Sequence, residues 1–350
     1  MAEKYLNDHG GVLGRPVKVV IEDDQSKLEV ATQAAEKMVT QDKAVALAGF
    51  YKSFITKGVF ESVSKKYNIV TFTAGWLDDL TANHDKLMFR AGPFIGAQTD
   101  QWVAFLEYVA QKTGHNKLAA YSENTDYGTS FQDQIVAALK AHGKVQVVAD
   151  LHHDYQATDF TTDLTKIKQT GANLFWSATV SSNVMTMIKQ AYDVGLSHQA
   201  IMTTVADGFY YTDEYAKTVG NKGDNVIITS FHKPGIQYTN FTSTMDQLYK
   251  EMGYGTNVDY YITIQEFQDV LLIAQAIKTA GSTDTNAMVQ ALESMTFNGP
   301  WGVIKFSMEA TGPYYHQWTP PMLFEQYQNL NLKVVYPESV AEAPMILPSG

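Results

Sequence analysis

No cysteine occurs among the 350 residues, so disulfides, thiolate nucleophiles and zinc-thiolate sites are excluded from this chain. Arginine is nearly as scarce, occurring only as Arg15 and Arg90. Lys plus Arg total 26 against 37 Asp plus Glu, a net charge of -11. The clustered basic residues that neutralise phosphates are missing, and nucleic acid is not an expected partner. Apolar runs stay short: Val270-Leu271-Leu272-Ile273-Ala274 falls far below the ~20 residues of a membrane span. No HExxH, P-loop or complete EF-hand pattern is found. His152 and His153 are adjacent, so they point to opposite sides of an extended segment, and both read as surface residues rather than ligands of one metal. Gly10-Gly11-x-x-Gly14 precedes a strand-like run instead of following one, which rules out a dinucleotide fingerprint. No metal, cofactor or catalytic residue is expected.

What is present is a rhythm. Gly10 to Arg15 and Pro16 form a helix stop, feeding the strand-like run Val17–Ile21 and then Asp23-Asp24. Residues 1–7 read as the tail of a first helix, and an alternating chain would carry its first strand upstream of that helix. Ser26 to Gln41 has helical spacing at Leu28, Ala31, Ala34, Ala35 and Met38, and leads into the strand Ala44–Gly49. Ser53 to Tyr67 leads to Ile69–Phe72, Ala97 to Gly114 to Lys117–Tyr121, Phe131 to His142 to Val145–Val148, and Leu164 to Gly171 to Leu174–Trp176. Short, largely apolar strands separated by helices need cover on both faces, which predicts an α/β chain with parallel sheets. With 45% hydrophobic residues and this length, two domains are favoured over one.

Ligands of such sheets sit beyond the carboxyl ends of the strands. The corresponding loops are Phe50–Phe54, Thr73–Leu77, Ser122–Gly128, Ser177–Ser181 and Val205–Phe209, rich in hydroxyls, small residues and aromatics. Most precede a helical pattern, whose first N–H groups favour a carboxylate. Asp207 is the candidate acid opposite them, and a donor-rich set facing one acid suits a zwitterion. Asp207 before Gly208 also suits a turn or cap, and Tyr127 also suits packing on its own loop. Trp76 and Trp176 at strand ends fit either packing or a ligand wall. The serine-enzyme elements SxxK (Ser62–Lys65), SxN (Ser181–Asn183) and KTG (Lys112–Gly114) all occur, but in the wrong order and with KTG ending a helix.

Several segments resemble the leucine/isoleucine/valine-binding protein family, the type I periplasmic solute-binding proteins of ABC transporters. They are the glycine turn with Glu22-Asp23-Asp24, Gly49, Arg90-Ala91-Gly92-Pro93, Asp126-Tyr127-Gly128 and Thr158-Asp159-Phe160. Gln190–Leu196, Ala276–Asp284, Gly299–Phe306 and Val334–Pro337 complete a series that runs in order along the whole chain. The resemblance implies two doubly wound parallel-sheet lobes joined by three hinge crossings, with the ligand in the cleft between them. Lobe one would hold 1–94 and 231–313, lacking its first strand, and lobe two 95–230 and 314–350. A ligand carboxylate would meet Tyr51, Lys52, Ser53, Thr73, Ala74 and Gly75. Tyr127 would close over it, Ser177, Ala178 and Thr179 would line the far wall, Asp207 would accept the ammonium, and Trp76 and Trp176 would give apolar cover. Lys52, Gly75 and Trp76 depart from the residues common in amino-acid binders. The implied protein is an extracytoplasmic monomer, with or without a lipid anchor, that captures a small amino acid or related amide and presents it to a membrane permease. A sensory or regulatory domain of the same fold and, more remotely, a hydrolase are the alternatives. A repressor is disfavoured by the lack of a helix-turn-helix.

Overall fold

A computed structural model describes residues 1–180, 183–205, 213–233, 235–254, 260–309 and 311–348. The described strands are β1 Ala46–Phe50, β2 Val70–Thr73, β3 Met88–Ala91, β4 Lys117–Glu123, β5 Gln146–His153, β6 Leu174–Ser177, β7 Ile201–Thr204, β8 Ile227–Ser230, β9 Phe297–Gly299, β10 Gly302–Ile304, β11 Gln317–Trp318, β12 Leu323–Gln328 and β13 Asn331–Tyr336. Two compact units share them. One holds Met1–Phe94, Pro234–Gly255 and Tyr260–Pro320, the other Ile95–Lys233 and Pro321–Gly350. β11 pairs with β3 in the first unit, whereas Lys233 bonds the Leu332 carbonyl at 3.0 Å and Glu325 at 3.1 Å in the second. The chain therefore passes between units beyond the positions 230 and 313 read from the sequence.

The first unit carries the parallel sheet β1-β2-β3-β11 and a separate antiparallel pair, β9 with β10. The helix Leu28–Thr40 forms where the apolar spacing predicts it. It buries Ala31 and Ala35, four apart on one face, against Leu47, Ile55, Val59, Val63 and Ile69. Ser53–Val59 continues through a π-helical turn, Phe60–Ser64, into Lys65–Tyr67. The amino-terminal turn also forms, and Gly11, at φ +72, admits no side chain because a Cβ would lie 2.1 Å from the Arg15 carbonyl oxygen.

The run Val17–Ile21 corrects the sequence reading: it has no regular secondary structure and joins no sheet among the described residues. Side chains of the first helix take its backbone, Asn7 Oδ1 accepting from the Val17 N–H at 2.7 Å and Glu3 Oε2 from the Val19 N–H at 2.6 Å, and Ile21 is 86% exposed. Apolar content marks a segment fit to be a strand, but membership needs a pairing partner, and the sheet's edge strands are β1 and β11.

The second unit has seven strands in the order β13-β12-β8-β7-β6-β4-β5. From β8 to β5 all neighbours are parallel, as the alternating pattern requires. β12 and β13 are antiparallel, a departure from the all-parallel expectation. They are joined by Asn329 and Leu330, both at positive φ (51° and 60°), the geometry of a two-residue hairpin turn, and strands so closely joined must run antiparallel. One face of the sheet packs Trp102, Phe131, Trp176 and Phe324, with Phe105 stacked on Phe324 at 3.8 Å. The other packs Tyr121, Phe160, Leu164, Phe175 and Ile188. The helix Asp126–His142 starts at Thr125, whose side chain accepts from the Gly128 N–H, and stops at Gly143 in the left-handed conformation.

Candidate functional site

In the first unit, the chain leaves β1 through Tyr51 and Lys52, both exposed, and enters the helix at Ser53, which is half-buried. No side chain caps that helix start. The next strand end, Thr73–Leu77, is stitched to it. The Ala74 N–H donates to the Phe50 carbonyl at 3.1 Å, the Leu77 N–H to Ser53 Oγ at 3.2 Å, and the Gly75 N–H to Thr73 Oγ1 at 2.9 Å. Gly75 suits this approach, because a Cβ there would stand 3.1 Å from Ser53 Cα and 2.9 Å from Leu80 Cδ1, and both neighbours would have to shift. Thr73 Oγ1 also meets Thr56 Oγ1 at 3.0 Å. Thr73 and Ala74 are thus buried and spent on joining the two loops, while Tyr51 and Lys52 carry the exposed chemistry; Trp76 is 8% exposed.

Behind the loop lies Arg90, fully buried on β3. Its Nη1 donates to the carbonyls of Gly75 and, at 3.0 Å, Leu77; its Nη2 to Thr81 Oγ1 at 3.4 Å; its Nε to Gln317 Oε1 at 2.9 Å. The guanidinium also lies over the Phe94 ring at 5.0 Å. Burial lowers its pKa to about 9, opposed by Asp78 and Asp79, so it remains charged at neutral pH. Below the sheet, the helix Tyr260–Ala280 sends Gln265 Nε2 to the Thr73 carbonyl at 3.3 Å and Gln268 Nε2 to the Ala91 carbonyl at 3.1 Å. On the same helix, Asp269 is fully buried with neither carboxyl oxygen hydrogen-bonded among the described residues. Burial pushes Glu266 up to about 7, and burial together with Glu266 raises Asp269 well above the ordinary range.

In the second unit the strand ends hold a different chemistry. Ser177, Ala178 and Thr179 are fully buried. The Ala178 N–H donates to Ser122 Oγ at 2.8 Å. His153 Nδ1 faces the Asp154 carbonyl at 2.9 Å and must carry the hydrogen there, which leaves Nε2, 2.9 Å from Thr179 Oγ1, to accept from Thr179. Thr179 in turn takes the hydrogen of Ser177 Oγ, 2.8 Å away. The tautomer, assigned from these partners, describes a neutral imidazole, in keeping with burial holding His153 below its ordinary 6.5. His153 is therefore no surface residue, although its exposed neighbour His152 is one. Glu123, at the end of β4, is 1% exposed and accepts from Thr125 Oγ1 at 2.9 Å and the Val180 N–H at 3.1 Å. The sequence reading put His153 on the surface and did not single out Glu123. Glu123 closes an apolar run as its last residue, and alternation alone requires one member of the His152-His153 pair to face inward.

Tyr127 is half-buried and edge-on to Phe131 at 5.9 Å, so its packing role is present. Trp176 is corrected from ligand cover to core: it is 0% exposed and edge-on to Trp102 at 5.9 Å and Phe131 at 5.2 Å. Asp207 lies outside the described residues. Among the described residues no group of three or more His, Asp or Glu is placed to hold a metal, and no helix is long and apolar enough to cross a membrane.

A family model described as "Periplasmic binding protein" matches residues 1–328. The chain belongs to that family. This periplasmic binding protein has the family's type I fold, and it is a solute-binding protein rather than an enzyme. A Pseudomonas aeruginosa protein named amino acid binding protein is 27% identical over 220 residues, 63% of this chain and only 56% of that relative. Among solved structures, the substrate binding protein of the branched-chain amino acid transporter from Streptococcus pneumoniae, in complex with isoleucine, superposes with a TM-score of 0.78 at 20% identity, covering 99% of this chain and 92% of its own. A solute binding protein of an ABC transporter from Rhodopseudomonas palustris, in complex with p-hydroxybenzoic acid, gives 0.80 at 17% identity, covering 99% and 91%.

Proposed function

We propose that this periplasmic binding protein captures a small amino acid or a related polar carboxylate outside the cytoplasm and hands it to the membrane permease of an ABC transporter. The observation that carries this reading is the stitched pair of loops in the first unit. Gly75 allows the Thr73–Leu77 loop to lie directly against an uncapped helix start, beside the exposed cation of Lys52. Backbone N–H groups at a helix start with an adjacent ammonium are carboxylate-binding chemistry. Relatives whose names give a ligand bind amino acids, branched-chain ones among them, or an aromatic acid, all carboxylates. Lys52 and Ser53 are assigned the carboxylate, with Tyr51, Thr73, Ala74 and Gly75 around them. Tyr127 and the Ser177–Thr179 loop are the second unit's assigned contributions, and Asp207 is assigned the ammonium.

The test is a thermal-shift screen with amino acids, their amides and aromatic acids, followed by calorimetry on the strongest stabiliser. A ligand at a hundred times its Kd adds about 2.7 kcal/mol to stability, an ample signal. The expected result is a rise with a carboxylate and, for an amino acid, a loss of about 2 kcal/mol or more of binding in Asp207→Ala, the scale for removing a buried charge partner. A protein that no carboxylate stabilises would refute the reading. Binding of an amino acid unchanged by Asp207→Ala would remove that residue from the site.

A further inference from the structure

Arg90 is the only buried arginine in a chain that has two, and what it bonds is unusual for a buried cation. Its four hydrogen-bonded partners, Gly75 O, Leu77 O, Thr81 Oγ1 and Gln317 Oε1, are all neutral, and no carboxylate is among them. Asp79, one of the two nearby acids, is exposed and occupied by Lys57 at 2.7 Å. A desolvated charge left without a bonded counter-ion is costly, and its field acts strongly on whatever dipoles surround it.

Two of those dipoles belong to the loop just assigned to the ligand carboxylate. In a trans peptide the C=O and the following N–H point in opposite directions. By drawing the Gly75 and Leu77 carbonyls inward, the guanidinium turns the Trp76 and Asp78 N–H vectors outward and polarises both peptide groups, strengthening them as donors. Its planar fork lets a single side chain hold two carbonyls and a hydroxyl together, which a lysine ammonium would do without fixed geometry. Gln317 completes the clamp: its Oε1 holds the Arg90 Nε while its Nε2 donates to Thr81 Oγ1 at 2.6 Å, and Thr81 Oγ1 donates to the Pro313 carbonyl at 2.8 Å.

We propose that Arg90 is a positioning residue that sets the site's preference for a carboxylate over its uncharged counterpart, acting through the Gly75–Asp78 backbone and without touching the solute. The inference rests on the carboxylate reading of the first unit. Its test compares acid with amide: L-leucine against L-leucinamide, and 4-hydroxybenzoate against 4-hydroxybenzamide, by calorimetry on the full chain. Wild type should favour the acid of whichever pair it binds. Arg90→Lys should lower affinity for that acid at least tenfold and for the amide less than threefold. Gln317→Glu leaves Arg90 in place but neutralises it through its own Nε, so it should reduce acid affinity in the same selective way while keeping wild-type circular dichroism. This second variant decides the matter if Arg90→Lys does not fold. Equal losses for acid and amide in a folded variant would show a merely structural role and overturn the inference, as would unchanged acid affinity in both. Binding of neither acid by wild type would overturn the carboxylate reading itself, and the inference with it.

Discussion

A buried ionisable cluster in the first unit and another in the second follow opposite rules. In the first, Asp269 and Glu266 sit on the helix Tyr260–Ala280 with carboxyl oxygens that lack hydrogen-bond partners among the described residues, and their pKa values are pushed up, Glu266 to about 7. In the second, burial pushes the pKa of His153 down and its ring accepts from a chain of hydroxyls, while Glu123 is satisfied as an acceptor. The signs follow by linkage. A raised carboxyl binds its proton more tightly when folded, so the stability it contributes is full below its unfolded value near 4.5 and is lost as pH rises through about 7. A depressed histidine favours the folded state above its unfolded value near 6.5, and that stability is lost as pH falls through the lower folded value. Acid therefore weakens the His153 cluster over a range in which it strengthens the Glu266–Asp269 pair.

The strongest challenge to this contrast is in the second unit's ring-packed interior. Trp176→Ala should cost about 3–5 kcal/mol in urea unfolding, the range for an aromatic truncated in a core. A loss under about 1 kcal/mol would return Trp176 to the ligand wall. Next, Glu266→Gln should stabilise the protein by on the order of 2–3 kcal/mol at pH 8, since one pKa unit corresponds to about 1.4 kcal/mol, with the gain fading toward pH 4.5. A gain independent of pH would mean that the carboxyl is not protonated in the fold. The smallest effect is expected from His153→Phe, which keeps a ring between Tyr121 and Phe160, each 5.0 Å away, but removes the acceptor for Thr179. It should lose about 1 kcal/mol at pH 7.5 and show a shallower decline between pH 7 and pH 5 than wild type. An unaltered slope would assign the acid response to another group.

Much of the alternation between helix and strand is written locally. Leu174–Ser177 and Val70–Thr73 are continuous short runs closed by hydroxyl residues, and the structure has them as fully buried strands. Position in a sheet is not local. Val17–Ile21 has the composition of a strand and no partner, and the antiparallel run of β12 and β13 turns on Asn329-Leu330, a pair without the glycine that usually announces such a turn. In the candidate site, loop membership was legible because strands end where apolar runs end. Which side chains those loops consume internally was not. The hydroxyls of Ser177, Thr179 and Thr73 look the same in sequence as available donors, yet Ser177 bonds Thr179 two residues on, Thr179 reaches His153 26 residues away, and Thr73 reaches Thr56 17 residues away. Arg90 was visible only as part of a family motif, and its carbonyl partners could be found only in three dimensions.

One edge strand of the first unit's sheet has a bearing on how this protein tolerates crowding. β1 is five residues long, carries Gly49 at φ +91, and breaks register with β2 between Leu47 and Phe50. Lys43 and Lys52, both exposed, flank it. A margin so brief, bent and charge-bracketed is a poor template for another chain's backbone. Self-stacking through this rim is thus discouraged by irregularity in the strand itself, with no charge inside the strand.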